Sequence, residues 1–310
     1  MSIVKRQHYV WRNYLRAWSK NDKIWTFMKE SNKLFLSDLM GVAQERYFYK
    51  LIDLTDTEEA FLKTFIDRNS GHLVKDLNLD YLVLFTSTSK LKKNLDQIIN
   101  PDIEKEKYAE EIRKLEINLM EISHGKMENL GFNLLKYRNL DQLKIIEKDD
   151  YFFDAIMFMC FQYFRTKSTR ESVMNSFLNG PHEQLASKTW NILSYVLATN
   201  LAQKISLDSR LRFQFIENNT GVPFITSDQP IFNIVSDKVN DDGEVVELEF
   251  YYPIAPICAL AIHFRNDQIE KFNGVSADDS MVMFYNKKVF ENADSFVFAD
   301  SREPLQDFIE

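Results

Sequence analysis

Residues 151–164 read YFFDAIMFMCFQYF, a run in which only Asp154 and Gln162 are strongly polar. A helix apolar on nearly every side cannot lie on a surface. It is also too short to cross a bilayer. Such a segment needs other elements packed around its whole girth, so the chain has to build a layered interior with this helix near its centre. A second apolar stretch, TWNILSYVLATNLAQKI at 189–205, predicts another buried helix beside it.

Around these two segments lies a long helical block, residues 56–206. Thr55-Asp56-Thr57 ahead of EEAFLKTFI is an N-cap with acidic residues in the first turn. Helical spacing continues from Asp80 to Asn100, and Pro101 is placed to begin the next helix. The charged run that follows predicts a solvated helix face. The first helix segment is expected to continue through RTKSTRESVMNSFL until Gly180-Pro181 stops it.

The period differs at both ends. Residues 1–55 predict a short helix (Tyr9, Val10, Tyr14, Leu15, Trp18) and strands in KIWTFMKE, KLFLSDL and RYFYKL. Residues 207–310 predict strands in RLRFQFIENN, FITSDQPIFNIV, EVVELEFYYPI, CALAIHFRN and SFVFADS, with a hairpin turn at Asn240-Asp241-Asp242-Gly243 and one helix, DDSMVMFYNKKVFENA. The pattern is α+β, not alternating βαβ. The expected architecture is a small mixed or antiparallel β layer from the N- and C-terminal segments, packed on a large inserted helical block. We read residues 1–310 as a single composite domain.

Composition narrows the function. The chain has 8 Gly among 310 residues and contains no G-x-x-x-x-G-K-[ST], G-x-G-x-x-G, G-x-S-x-G or H-E-x-x-H pattern. Phosphate loops need glycines to bring the backbone onto the ligand, so the common nucleotide-loop enzymes are excluded. Cys160 and Cys258 lie in apolar runs without a C-x-x-C partner, which reads as two buried free thiols and no thiolate zinc site. The start MSIVKRQHYV lacks the apolar core of a signal peptide, so a cytoplasmic, non-membrane protein is expected. A formal charge of −8 argues against a generic nucleic-acid glue but not against a local basic groove. The 25 Phe, 13 Tyr and 4 Trp fall mainly in the buried segments and read as core.

Four polar clusters interrupt this apolar background. Arg6-Gln7-His8-Tyr9 puts a histidine ahead of the first helix, where it could move a proton near neutral pH or simply hold the local fold. Thr226-Ser227-Asp228-Gln229-Pro230 breaks a strand-like run, as a site carboxylate or as a turn. Gln162, Arg165, Thr166 and Arg170 share one region of the central helix, suited to phosphate or to a core carboxylate. Glu45 in VAQERYFY is an acid beside aromatics.

These clusters carry a resemblance. RQHYVWRNYLRAWS, FMCFQYFRTKSTR, FITSDQPIF, YYPIAPICALAI and MVMFYNKKVFENA, in that order, resemble the segments of the bacterial family called domain of unknown function 4238. Trp11 stands where that family usually has Pro, and Ala255-Pro256 where it has Ser-Pro. The resemblance implies a fold and a set of positions, Asn286 among them, rather than a reaction; a role in phage defence is a further implication.

The inventory supports a hydrolase of the phosphodiesterase or nuclease type, acting on nucleic acid or a nucleotide. His8, Glu45 and Asp228 would be the catalytic groups, and Gln7, Gln162, Arg165, Ser227 and Asn286 would bind substrate. A divalent cation such as Mg²⁺ or Mn²⁺ fits that chemistry. The rival readings are a non-catalytic sensor that binds a ligand or a phage or partner protein, and a purely structural use of the same residues. Substrate, metal and oligomeric state are not legible.

Overall fold

The computed structural model of the chain describes residues 3–98, 104–148, 151–241 and 245–309. The N-terminal part contains strand β1 (Arg6–His8), a single turn α1 (Arg12–Leu15), and strands β2 (Lys23–Met28), β3 (Lys33–Asp38) and β4 (Gln44–Arg46). The helical block follows as α2 (Asp56–Asn69), α3 (Lys75–Gln97), α4 (Lys105–Gly131), two short turns α5 (Leu140–Leu143) and α6 (Ile145–Lys148), then α7 (Tyr151–Phe164), α8 (Lys167–Phe177) and α9 (Glu183–Leu207). The C-terminal part has β5 (Leu211–Asn218), β6 (Thr226–Ser227), β7 (Phe232–Asn233), β8 (Phe250–Ala255), β9 (Cys258–Phe264), β10 (Phe272–Ala277), α10 (Asp279–Asn292), β11 (Phe296–Ala299) and α11 (Glu303–Gln306). The class is α+β, as the periodicity implies.

Three sheets share the strands. A four-stranded antiparallel sheet, ordered β3-β2-β11-β6, interleaves the two ends of the chain, with Val297 opposite Phe27 on one side and Ser227 on the other. A five-stranded sheet, ordered β10-β5-β9-β8-β7, is mixed because β10 joins β5 in parallel. The third is a two-stranded ribbon of β1 and β4, in which Gln7 faces Glu45 and His8 faces Gln44.

The central helix behaves as its composition requires. On α7, Ala155 through Gln162 are all buried, and α9 packs against it. Burial of this kind is the largest favourable contribution to the fold, at about 1.5–3 kcal/mol per large apolar side chain. One continuous cluster of buried side chains runs from Tyr9 through α7 and α9 to Phe298. Helices α4 and α7 approach closely at Gly131, where a Cβ would fall 2.2 Å from the Phe158 ring. Thr55 caps α2 reciprocally: its hydroxyl accepts from the Glu58 N–H at 3.3 Å and its own N–H donates to the Glu58 carboxylate at 2.7 Å. The N-terminal turn is tied to the far end of the chain by Tyr14, whose hydroxyl donates to the Pro253 carbonyl at 2.8 Å, and by Trp18, whose indole N–H donates to the Phe224 carbonyl at 2.8 Å.

Several sequence expectations change. RYFYKL is not a strand: β4 ends at Arg46, and Tyr47 turns the chain with φ of +58°. The run from Tyr151 to Leu178 is two helices, because Arg165 and Thr166 leave the helical path and place their side chains in polar networks. EVVELEFYYPI joins the five-stranded sheet only from Phe250, and Val245 makes an isolated bridge to Val239. Pro101 and the Asp242-Gly243 half of the expected hairpin turn lie outside the described residues. Cys160 and Cys258 are free and buried, as read. No helix among the described residues is long and apolar enough to cross a membrane.

Candidate functional site

Arg165 organises the region where the N-terminal ribbon meets the helical block. It follows the last residue of α7 and is 5% exposed. Its Nε donates to the Tyr49 hydroxyl at 3.1 Å, one Nη donates to Glu128 Oε1 at 2.7 Å, and the other donates to the His8 carbonyl at 2.6 Å. A buried guanidinium is tolerated only when its donors find partners and its charge a counter-ion. Here α4 supplies the counter-ion, and the ribbon supplies a carbonyl.

The ribbon itself is latched by Gln7, which is fully buried. Its Nε2 donates to the Ile117 carbonyl at 2.7 Å, and its Oε1 accepts from the Tyr49 N–H at 2.7 Å. This fixes His8, the next residue, over the end of α7. The His8 imidazole is half-buried, and its Nδ1 is enclosed without a hydrogen-bond partner among the described residues. Burial lowers its pKa first, and the nearby positive charges of Arg12 and Arg165 lower it further, against an opposing pull from the Val42 carbonyl. The ring is therefore neutral at pH 7, with a free lone pair.

Across the ribbon, Glu45 is exposed and pairs with Lys167, the first residue of α8, at 2.6 Å. Lys167 also lies over the Tyr9 ring, 5.3 Å from its centroid. The Tyr9 hydroxyl is held well above its usual pKa, first by burial and then by Asp228, Asp294 and Glu45. Arg165 thus holds His8 through its main-chain carbonyl, while Glu45, Lys167 and Tyr9 form a separate cluster. Glu45 pairs with Gln7 and His8 with Gln44 across the ribbon, so the His8 and Glu45 side chains point to opposite faces. Gln162 sits buried one turn before Arg165 on α7.

The other sequence candidates do different work. Both oxygens of Asp228 accept backbone N–H groups, from Asp294 at 3.0 Å, Ser295 at 2.7 Å and Phe296 at 2.9 Å. They fix the entrance to β11. Burial nevertheless raises the Asp228 pKa to about 6, with the backbone donors opposing and Asp294 adding to the rise. The Ser227 hydroxyl donates to the Gln229 carbonyl at 3.0 Å and accepts its N–H at 3.1 Å, which closes a local turn. The Gln229 side chain continues to Thr166 and Thr169, so the turn is wired to the α7–α8 junction. Asn286 stands apart: on α10 it accepts the Ile225 N–H at 3.0 Å and donates to the Pro223 carbonyl at 2.9 Å.

Helix α4 adds a group that the sequence reading passed over. Glu121, His124 and Glu128 fall on one face at helical spacing. The His124 ring centroid is 4.1 Å from that of Tyr49 and 5.2 Å from that of Tyr195, and neither of its nitrogens has a hydrogen-bond partner among the described residues. Burial, then Arg165, keeps its pKa well below the usual value. Burial raises the pKa of Glu121 and of Glu128, in each case against Arg165. The spacing was visible, but the dense charge of the preceding turns masked the buried face.

The residues do not fit a protein-held divalent cation. Asp228 is saturated by backbone donors, Glu45 is paired with Lys167, and no group of three or more His, Cys, Asp or Glu among the described residues could hold a metal ion.

Comparison with protein families matches residues 6–303 to the family described as protein of unknown function (DUF4238). No curated protein and no solved structure matches the chain.

Proposed function

The chain belongs to this family of unknown function, and from the geometry of its own site we propose a hydrolase of the phosphodiesterase or nuclease type acting on a phosphate-containing substrate at the His8 face. The observation that carries this reading is the His8 imidazole, kept neutral by burial and by the nearby charges of Arg12 and Arg165, with no partner for its Nδ1 among the described residues. A lone pair left unsatisfied in a partly buried setting is costly, and such costs concentrate at functional sites.

In this proposal the His8 imidazole accepts the proton of the attacking hydroxyl or water, and substrate binding has to uncover Nδ1, which the unliganded fold encloses. Arg12, whose charge acts on the imidazole, offsets the phosphate charge as it develops. Arg165 is a positioning residue: its bond to the His8 carbonyl fixes where the imidazole stands. Glu45 holds Lys167 in an ion pair at 2.6 Å, and Asp228 fixes the entrance to β11. No step passes through a metal held by the protein. Foreign nucleic acid is the substrate that a phage-defence role would present.

The test is turnover of RNA, DNA and nucleotides, each with Mg²⁺, Mn²⁺ or a chelator, by the wild type and by His8→Ala. The proposal expects a loss of roughly 10²–10⁴-fold on removing one acid–base group.

A second reading, a non-catalytic ligand- or protein-binding module using the same face, draws on the saturation of Gln7, Arg165 and Asp228 by internal bonds. It expects partner or nucleotide to raise the melting temperature without product.

A further inference from the structure

A cleft of about 610 Å³ opens between the last turns of α9, the link into β5, the chain before β8 and the end of β9. That volume lies within the ordinary range of small-molecule sites, roughly 300–1,000 Å³. It shares no lining residue with the His8 face.

Its walls are of two kinds. Leu201, Ile205, Val246, Leu248 and Phe264 contribute apolar surface. The polar part carries four cations against three carboxylates, in a chain whose total charge is −8. Two of those cations are already neutralised. Arg210 grips Asp208 with two donors, at 3.0 and 2.7 Å, and Lys238 pairs with Glu247 at 2.6 Å. Lys204 and Arg265 form no ion pair with any described residue.

His263 adds an independent sign. It lines the same cleft, is 4% exposed, and hydrogen-bonds to none of the described residues through its ring. It lies opposite Arg212 in the β5–β9 ladder. Burial first, then Arg265, lowers its pKa, while Asp267 opposes. Its ring nitrogens are not sealed off from the cleft, so a ligand there can replace water as their hydrogen-bond partner.

We propose that this cleft is a second ligand site, taking a small organic phosphate with a flat apolar body, its anionic end between Lys204 and Arg265 and its body against the aliphatic wall and Phe264. His263 then supplies a hydrogen bond to the ligand. A bare anion would leave the apolar wall wet, and a neutral apolar molecule would leave both cations unanswered.

Isothermal titration of the full chain with phenyl phosphate, AMP, adenosine and inorganic phosphate tests this. The expected result is binding of phenyl phosphate and AMP, at least about tenfold tighter than of adenosine or phosphate alone, a difference of about 1.4 kcal/mol. Lys204→Ala and Arg265→Ala should each weaken binding about tenfold. Both side chains are exposed, so neither change threatens the fold. In a His8→Ala background the binding should still fall about tenfold on adding Lys204→Ala or Arg265→Ala, which separates the cleft from the catalytic proposal. Three results would overturn the site: no binding of either aryl ligand at millimolar concentration, equal affinity for inorganic phosphate, or affinity unmoved by Lys204→Ala and Arg265→Ala.

Discussion

Arg165 holds the main-chain carbonyl of His8 at 2.6 Å while its other arm holds Glu128 at 2.7 Å. One guanidinium therefore joins the N-terminal ribbon to the interior of the helical block. The carboxylate it neutralises is largely buried, so removing the arginine strands a charge. Arg165→Ala is expected to destabilise by about 3–5 kcal/mol, the usual cost of breaking one side of a buried pair. Arg165→Met combined with Glu128→Leu should recover most of that loss, as read by urea denaturation of the three variants.

His124 gives the fold an acid-sensitive point. Its folded pKa lies well below that of the unfolded chain, so below about pH 6.5 the unfolded state binds a proton that the native state refuses. Stability from this group is complete above that pH and falls as pH drops, by up to about 1.4 kcal/mol per pH unit. His124→Phe, which keeps the ring between Tyr49 and Tyr195, should flatten the profile between about pH 6.5 and 5. Melting temperatures of the two proteins across that range decide it. An unchanged slope would mean that His124 is not the group responsible.

Two glycines of α4 should respond in opposite senses to alanine. Gly125 has open space where a Cβ would be built, so Gly125→Ala should stabilise by up to about 1 kcal/mol through helix propensity. At Gly131 the added methyl meets the Phe158 ring, so Gly131→Ala should destabilise by about 1–3 kcal/mol. Paired denaturation curves check the sign of each.

Tyr14 bonds both the Pro253 carbonyl and Thr226 Oγ1, at 2.8 and 2.6 Å, in a fully enclosed setting. Tyr14→Phe leaves those groups unsatisfied and should lower stability by about 1–3 kcal/mol while leaving the far-ultraviolet spectrum intact.

Much of this organisation was legible in the sequence. The apolar run of α7, the cap at Thr55 and the change of period at both ends gave the α+β class, because burial and local capping write themselves into composition and spacing. Other features depend on distant partners. Nothing near Arg165 announces that helix α7 must stop there so that its side chain can reach Glu128 and His8. Tyr47 takes a left-handed turn inside what looks like a strand, and no glycine marks the place. At the candidate site, His8 and Arg165 were singled out by residue type and are joined through the His8 carbonyl, while Glu45 pairs with Lys167. Asp228 stood out equally and Asn286 came from the family resemblance, yet their bonds go to backbone groups of the entrance to β11 and of residues 223–225, and a side chain's choice of a backbone partner leaves no mark in sequence. Lys167 and the face of Glu121, His124 and Glu128 were hidden among many other charges.

The central claim is that His8 is the proton-accepting group of a phosphate-ester hydrolase. The most direct measurement is the hydrolysis rate of labelled RNA and DNA by the wild type and by His8→Ala, with circular dichroism showing that both are folded. The account predicts turnover by the wild type and a rate at least about 100-fold lower for the variant. No turnover of any phosphate ester by the wild type, or equal rates for the two proteins, would contradict it.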